Sequence, residues 1–291
     1  MLFCFCLELV GWNLELATLA KKLKLAITTM LPLNLLSFVF GACLGSFANV
    51  CIYRIPRGIS VLAPRSFCPS CHRTLSSFEL IPVVSFVLLR GRCRSCGTRI
   101  SIRYPVVELL GGATFLYFFI VDPFYIEALS RALFFLVLVV VAFIDWENLI
   151  IPNGLLIAGL VIGIVAKSLI SFRLLGAAAI AGLFAGIAML IVRAIGNLAF
   201  RKDTMGIGDV KLSILIGFFV GFGNFLIAVW LASVLGVLYW SFKRITTGAP
   251  KDIRLPFGSF LSIASAVVYL ASGYTHPLIQ HSINPFFHPF G

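Results

Sequence analysis

The sequence predicts an all-α polytopic membrane protein, with about eight transmembrane helices and a small cytosolic zinc-ribbon-like domain inserted after the first. Three observations carry this prediction. Of the 291 residues, 60% are hydrophobic and only 12% charged, with a mean hydropathy of +1.05, far outside the soluble average. The apolar residues gather in runs of helix length. Between the first and second runs lies an arginine-rich segment with two Cys-x-x-Cys pairs. A soluble globular enzyme, a disordered protein and a coiled coil are excluded. The 28 Phe and 25 Gly agree with a chain in contact with a lipid bilayer, since Gly is frequent in membrane helices.

A spanning helix takes about 20 predominantly apolar residues, and the need to satisfy backbone groups leaves only helix or closed barrel in hydrocarbon. Such runs fall at 32–53, 105–121, 129–145, 150–170, 174–195, 208–222, 224–242 and 255–274, the sixth and seventh being short. The chain thus divides into an N-terminal extension (1–30), a first transmembrane helix (31–53), a cysteine-bearing domain (54–104), a transmembrane core (105–275) and an outer tail (276–291). The extension has two readings. Glu8 and Glu15 interrupt what would resemble a targeting stretch, and Lys21, Lys22 and Lys24 precede Met30. Either translation begins at Met30, or the extension is an interfacial amphipathic segment.

The net charge of +12 is explained by topology. Segment 54–104 carries nine Arg against one acid, Glu79. Arg193, Arg201, Lys202 and Lys211 lie in a second segment, and Lys243, Arg244, Lys251 and Arg254 in a third. These segments hold 17 of the 23 basic residues and fall on one side of an eight-helix chain. The positive-inside rule puts that side in the cytosol and both chain ends outside. No nucleic-acid partner is needed to explain the charge.

Cys68, Cys71, Cys93 and Cys96 form the two Cys-x-x-Cys pairs, 21 residues apart, close to the two-knuckle pattern of a zinc ribbon. Four thiolates close the shell of a Zn2+ ion and leave no position for water, so the expected metal is structural. Thiolates need a reducing compartment, which independently places this segment in the cytosol. Cys4, Cys6, Cys43 and Cys51 are scattered in apolar sequence. The histidines form no site: His72 adjoins a knuckle, and His276, His281 and His288 lie in the tail.

The chain has only eleven carboxylates, and an acid near hydrocarbon costs several kcal/mol unless paired or hydrated. Asp145 ends the apolar run Leu133 to Ile144, and Asp209 opens the sixth span in Gly206-Ile207-Gly208-Asp209. The topology puts both near the cytosolic face, where two acids at one depth on different helices would meet. Such a pair holds one proton between its members and suits acid–base activation of water for amide hydrolysis. Gly206 and Gly208 would let the backbone unwind and approach an extended substrate. Each acid also has a structural reading: Asp145 as an interfacial helix-end residue and Asp209 as a helix cap. Glu108, deep in the second span, either contacts the active site or pairs with an Arg, and Glu147 points away from Asp145.

The chain resembles the bacterial type IV prepilin peptidases, bifunctional leader peptidases and N-methyltransferases of the GxGD class. The resemblance runs through about residues 41–260: Gly45 to Val50 with Tyr53-Arg54-Ile55-Pro56; the two cysteine pairs flanking Ile81-Pro82 and Arg90-Gly91-Arg92; Arg103-Tyr104-Pro105 with Glu108-Leu109; Ile144-Asp145 with Ile151-Pro152-Asn153; Gly206 to Lys211; and Leu255-Pro256-Phe257-Gly258. It implies that Asp145 and Asp209 are the catalytic pair, with Gly206 and Gly208 in the active-site loop and Glu108, Lys211, Pro256, Phe257 and Gly258 in support. It implies prepilin or pseudopilin substrates with a basic leader and an apolar stem, cut at the cytosolic face of the bacterial inner membrane in type IV pilus or type II secretion systems. It also implies methylation of the new N-terminus from S-adenosylmethionine, linked in the family to the cysteine-bearing domain, although no glycine-rich loop marks the methyl-donor site. Three positions depart from the family pattern: Glu147 and Asn153 stand where Asp is frequent, and Ser259 where Pro is frequent. The rival readings are a peptidase without methyl transfer, and a non-catalytic zinc-ribbon membrane subunit or an ion carrier.

Overall fold

The computed structural model describes residues 32–122, 124–201, 203–247 and 255–272. The extension with its Met30 alternative and the tail 276–291 lie outside the described residues. Every expected span is a helix: α1 over 32–54, α3 (Arg103–Val121), α4 (Tyr125–Asn148), α5 (Asn153–Ile170), α6 (Phe172–Phe200), α7 (Ile207–Val220), α8 (Phe222–Thr247) and α9 (Phe257–Ala271), with a short α2 (Val84–Leu88) in the insertion. Six of them are long and apolar enough to cross a membrane, which makes this a multi-pass membrane protein. The other two, α7 and α9, have 14 and 15 residues. At 1.5 Å per residue each reaches only roughly 21–23 Å, short of the ~30 Å hydrocarbon core.

Several boundaries move outward from the sequence expectation, three of them by four residues or more. α4 starts at Tyr125 rather than 129 because Glu127 and Arg131 pair one turn apart inside it, at 2.6 Å. α6 runs past 195 to Phe200, its added turn including Asn197, which bonds to Thr204, and α8 runs past 242 as a polar turn, with Arg244 in its last turn. Where a helix must stop abruptly, the chain turns left-handed. Gly221, at φ +83°, is the single residue between α7 and α8, a backbone conformation that favours glycine.

The helices alternate in direction, and contacts fix which ends meet. Asn49 on α1 bonds to Tyr104 on α3, Arg103 to Glu147 on α4, Asn153 on α5 to Lys211 on α7, and Ser259 on α9 to Asp145 on α4. All lie at one end of the bundle. At the other end Arg131 is buried between Asp122 and Glu127. α7 packs on α5, α6, α8 and α9 and is buried along most of its length. The rings of Phe134 on α4 and Phe219 on α7 stack at 4.2 Å, near the centre of the main apolar cluster. Outward-facing Ile157, Val161, Leu183 and Trp230 are exposed, an apolar surface suited to lipid rather than water.

α1 is docked by small residues. A Cβ on Gly41 or Gly111 would stand 2.5 Å from the other's carbonyl oxygen, and one on Gly45 would stand 2.7 Å from the Val107 carbonyl. This is the close backbone approach that a Gly-x-x-x-Gly spacing allows in membranes. The insertion between α1 and α3 contains two isolated antiparallel bridges, Phe67 with Thr74 and Arg92 with Arg99, one closing each cysteine knuckle, and no strand among the described residues. Glu79 caps the turn Ser77–Leu80: the Ser76 amide and the Arg73 guanidinium hold its carboxyl down to about 2.

Gly111→Val is expected to lower the stability of the purified protein by about 1–3 kcal/mol, read as a lower Tm in detergent. Gly176→Ala, where a Cβ meets nothing within 4 Å, is expected to leave Tm unchanged or slightly raised.

Candidate active site

The two acids singled out by their scarcity are both buried, Asp145 5% and Asp209 8% exposed, and the glycines beside them, Gly258 and Gly208, both lie against Ile151. They reach this place from opposite kinds of helix end. Asp145 lies in the last turn of α4, whose exit is a left-handed Leu149 donating its amide to the Asp145 carbonyl at 2.9 Å. Asp209 lies in the first turn of α7, after Gly206 as N-cap.

Asp145 is held by α9. Its Oδ2 accepts the Ser259 amide at 2.7 Å and lies 3.1 Å from Ser259 Oγ, which also donates to the Ala142 carbonyl at 2.8 Å. The free amides of a helix's first turn suit a carboxylate. Gly258 makes room, since a Cβ there would stand 3.1 Å from Asp145 Oδ2 and 2.7 Å from Ile151 Cδ1. Pro256 is the N-cap and Phe257 the first residue of this helix. Ser259 was legible in the sequence only as a departure from the family pattern. Its serine contributes an amide hydrogen and a hydroxyl, neither of which proline has.

The Asp209 carboxylate folds back over the loop that carries it, so that a Cβ on Gly206 would lie 3.3 Å from Oδ2. Asn197 pins this loop: its Oδ1 accepts both the amide and the hydroxyl of Thr204 at 2.9 Å. Gly206 is extended (φ −66°, ψ 142°) and Gly208 is helical, so what these glycines provide here is space rather than an unusual backbone. A Cβ on Gly208 would stand 3.0 Å from Ile151 Cβ. Ile151 therefore fills the gap between Gly208 and Gly258 on the two acid-bearing sides.

The remaining candidates lie around this centre. Lys211 donates to Asn153 Oδ1 at 3.0 Å and forms no ion pair with either acid. Glu147 is exposed and pairs with Arg103 at 2.5 Å. Glu108 is buried, and its Oε2 accepts the Val83 amide at 2.7 Å in place of an arginine side chain. Arg54 is also buried and spends its guanidinium on the Ser60, Pro64 and Arg65 carbonyls, clamping the chain as it leaves α1. The sequence marks it as part of the Tyr53-Arg54-Ile55-Pro56 motif and of the basic segment, without indicating this clamp.

Cys68, Cys71, Cys93 and Cys96 come together with their sulfurs all within 4.8 Å of one another, and this set could hold a metal ion. Cys68 and Cys96 are 3.9 Å apart, against about 3.8 Å between ligands of a tetrahedral ion with ~2.3 Å bonds to sulfur. His72 is not in the set and stacks on Phe67.

Residues 39–121 match the bacterial peptidase A24 N-terminal domain, and residues 132–241 match the type IV leader peptidase family. The chain is similar to a Bacillus subtilis (strain 168) protein named prepilin leader peptidase/N-methyltransferase, 37% identical over 80% of this chain and 92% of the relative. An Escherichia coli O78:H11 protein named type 4 prepilin-like proteins leader peptide-processing enzyme is 34% identical over 81% and 93%. A Myxococcus xanthus prepilin leader peptidase/N-methyltransferase is 33% identical over 72% and 63%. No solved structure matches the chain.

The thiol cluster makes a direct prediction. Elemental analysis of the protein is expected to find a single tightly bound metal ion per chain, and Cys93→Ser is expected to lose it together with the protease resistance of 58–102.

Proposed function

We propose that this chain, which belongs to the type IV leader peptidase family, cleaves the leader peptides of prepilins or pseudopilins with Asp145 and Asp209 and then N-methylates the new N-terminus. The observation that carries the peptidase reading is the meeting of two buried carboxyl groups from different helices at one end of an apolar bundle. Neither forms an ion pair among the described residues, so a structural salt bridge does not account for them.

In this reading the apolar stem of the substrate docks against the membrane helices while its basic leader stays in water. The scissile peptide lies across the end of the bundle near Gly206 and Gly208. Ser259 occupies Oδ2 of Asp145, which leaves Oδ1 to orient the attacking water. The acid pair takes a proton from that water as it adds to the carbonyl carbon, then gives one to the leaving amine as the C–N bond breaks. No metal takes part in this step. The ion held by the four cysteines is Zn2+ and structural, since four thiolates leave it no open position.

Methyl transfer follows at the amine just released, and S-adenosylmethionine supplies the electrophilic methyl group. The basic segments at the Asp145 end and the thiolate chemistry support a reading in which the acid pair and the cysteine domain face the cytosolic side of the bacterial inner membrane.

Asp145→Asn and Asp209→Asn are each expected to lower leader cleavage by about 100-fold or more, measured by mass spectrometry of a pilin-like substrate. Both are expected still to methylate a substrate supplied already cleaved. Substantial cleavage by both variants would remove the pair from the mechanism.

A further inference from the structure

A second chemical site lies beside the first. A cavity of about 460 Å3 sits between the ends of α1 and α3 and the underside of the cysteine-bearing insertion, within the roughly 300–1,000 Å3 of small-molecule sites. Asn49, Tyr53, Phe86, Arg99, Tyr104 and Glu108 are among the residues that line it. Two features there are unexplained by folding alone.

The first is Asn49, 1% exposed. Its Nδ2 donates to the Tyr104 carbonyl at 3.0 Å and the Gly45 carbonyl at 3.4 Å, while its Oδ1 is buried with no partner. A buried acceptor without a donor costs about 1–3 kcal/mol, so such an atom calls for a reason. The second is Glu108. It is buried and in no ion pair among the described residues, although arginines surround it. Arg54 is committed to backbone carbonyls and Arg103 to Glu147. Glu108 accepts from the Val83 amide and from the Ser46 side chain, and Val83 holds φ 61°, ψ −48° there. A β-branched residue with positive φ is strained, and strain of this kind collects at functional sites.

We propose that this cavity binds the methyl donor, S-adenosylmethionine, with Glu108 and Asn49 Oδ1 accepting hydrogen bonds from it. The proposal rests on the methyl-transfer reading above. The ligand suits the site on three counts. In a wall that is otherwise basic, Glu108 is the one carboxylate that no ion pair among the described residues occupies, which leaves it to meet the sulfonium or ammonium group. The ligand's ammonium and ribose hydroxyls are donors for Asn49 Oδ1, which has none, and for Glu108. Tyr53, Phe86 and Tyr104 line the cavity as aromatic partners for the ligand's adenine, Arg57 covering one face of Tyr53 and Arg103 one face of Tyr104, while the exposed Arg99 is placed for its carboxylate.

The position also suits the reaction order. Arg103 lines the cavity and pairs with Glu147, two residues beyond Asp145 on α4. A new N-terminus formed at the acid pair reaches the donor by crossing from α4 to α3, without leaving the protein. The insertion roofs the cavity through Phe86 and Leu89, which gives the cysteine domain a role in methyl transfer without itself holding the donor.

The test is binding of S-adenosylhomocysteine to the full-length protein in lipid nanodiscs, by calorimetry, with no peptide substrate present. Saturable binding is expected for the wild type, weakened about tenfold or more in both Glu108→Gln and Asn49→Leu, as expected for one lost hydrogen bond to a buried or charged group. Because Asn49 also holds Tyr104, photolabelling of the unaltered protein with radiolabelled S-adenosylmethionine provides a second reading, with label expected in 46–57 or 99–108. Label confined elsewhere, or unchanged affinity in both variants, overturns the site and leaves methyl transfer standing. A wild type that neither binds S-adenosylhomocysteine nor methylates a cleaved substrate overturns the methyl-transfer reading and the site with it.

Discussion

Keeping two carboxyl groups buried in a bundle made almost wholly of apolar helices is the constraint from which the rest of this architecture follows. An unsatisfied acid at that depth would cost several kcal/mol. The protein meets the cost with backbone, which is available only at helix ends. The first turn of α9 presents the Ser259 amide to Asp145, and Gly206 leaves room for Asp209 at the start of α7. For these ends to lie at one level, α5, α7 and α9 must all start where α4 stops and run opposite to it. Ile151, just before α5, packs against the glycines that make this possible.

The opposite end of the bundle solves the same problem differently. Arg131 is buried between Asp122 and Glu127, so the charges there satisfy one another. Removing one member of such a cluster is costlier than the cluster is stabilising, because an uncompensated buried charge remains. That end is a closed electrostatic unit, while the Asp145 end keeps acids without cations. The contrast separates a structural use of buried charge from a chemical one within a single chain.

Much of this was legible in the sequence for physical reasons. Spans follow from hydropathy because lipid admits little else, and the cysteine knuckles follow from their spacing. Asp145 and Asp209 stood out because acids are rare among apolar runs. Less was legible wherever the partner is a backbone group far along the chain. Ser259 and Asp145 lie on helices with no sequence proximity, and nothing local announces that one amide serves the other. Glu108 was expected either at the active site or against an arginine and found the Val83 amide, in a loop conformation that propensity does not predict. Charge counting treated Arg54 and Arg103 alike as topological, yet one clamps carbonyls and the other ties α3 to α4. The ends of α6 and α8 were misjudged because hydropathy marks where lipid ends rather than where a helix does.

The bond from Asn49 to Tyr104, with the glycine contacts beneath it, brings the two ends of the cysteine-bearing insertion to within one hydrogen bond of each other. Closing a loop on ends held this way becomes only slightly costlier as the loop grows, by about 0.6 kcal/mol for each doubling of its length. A short turn in place of the insertion would leave α1 and α3 neighbours, but it would remove Val61 from the apolar cluster that includes Val140 and Ile144 and take the Val83 amide from Glu108, so the length of this loop is freer than its contacts with the bundle.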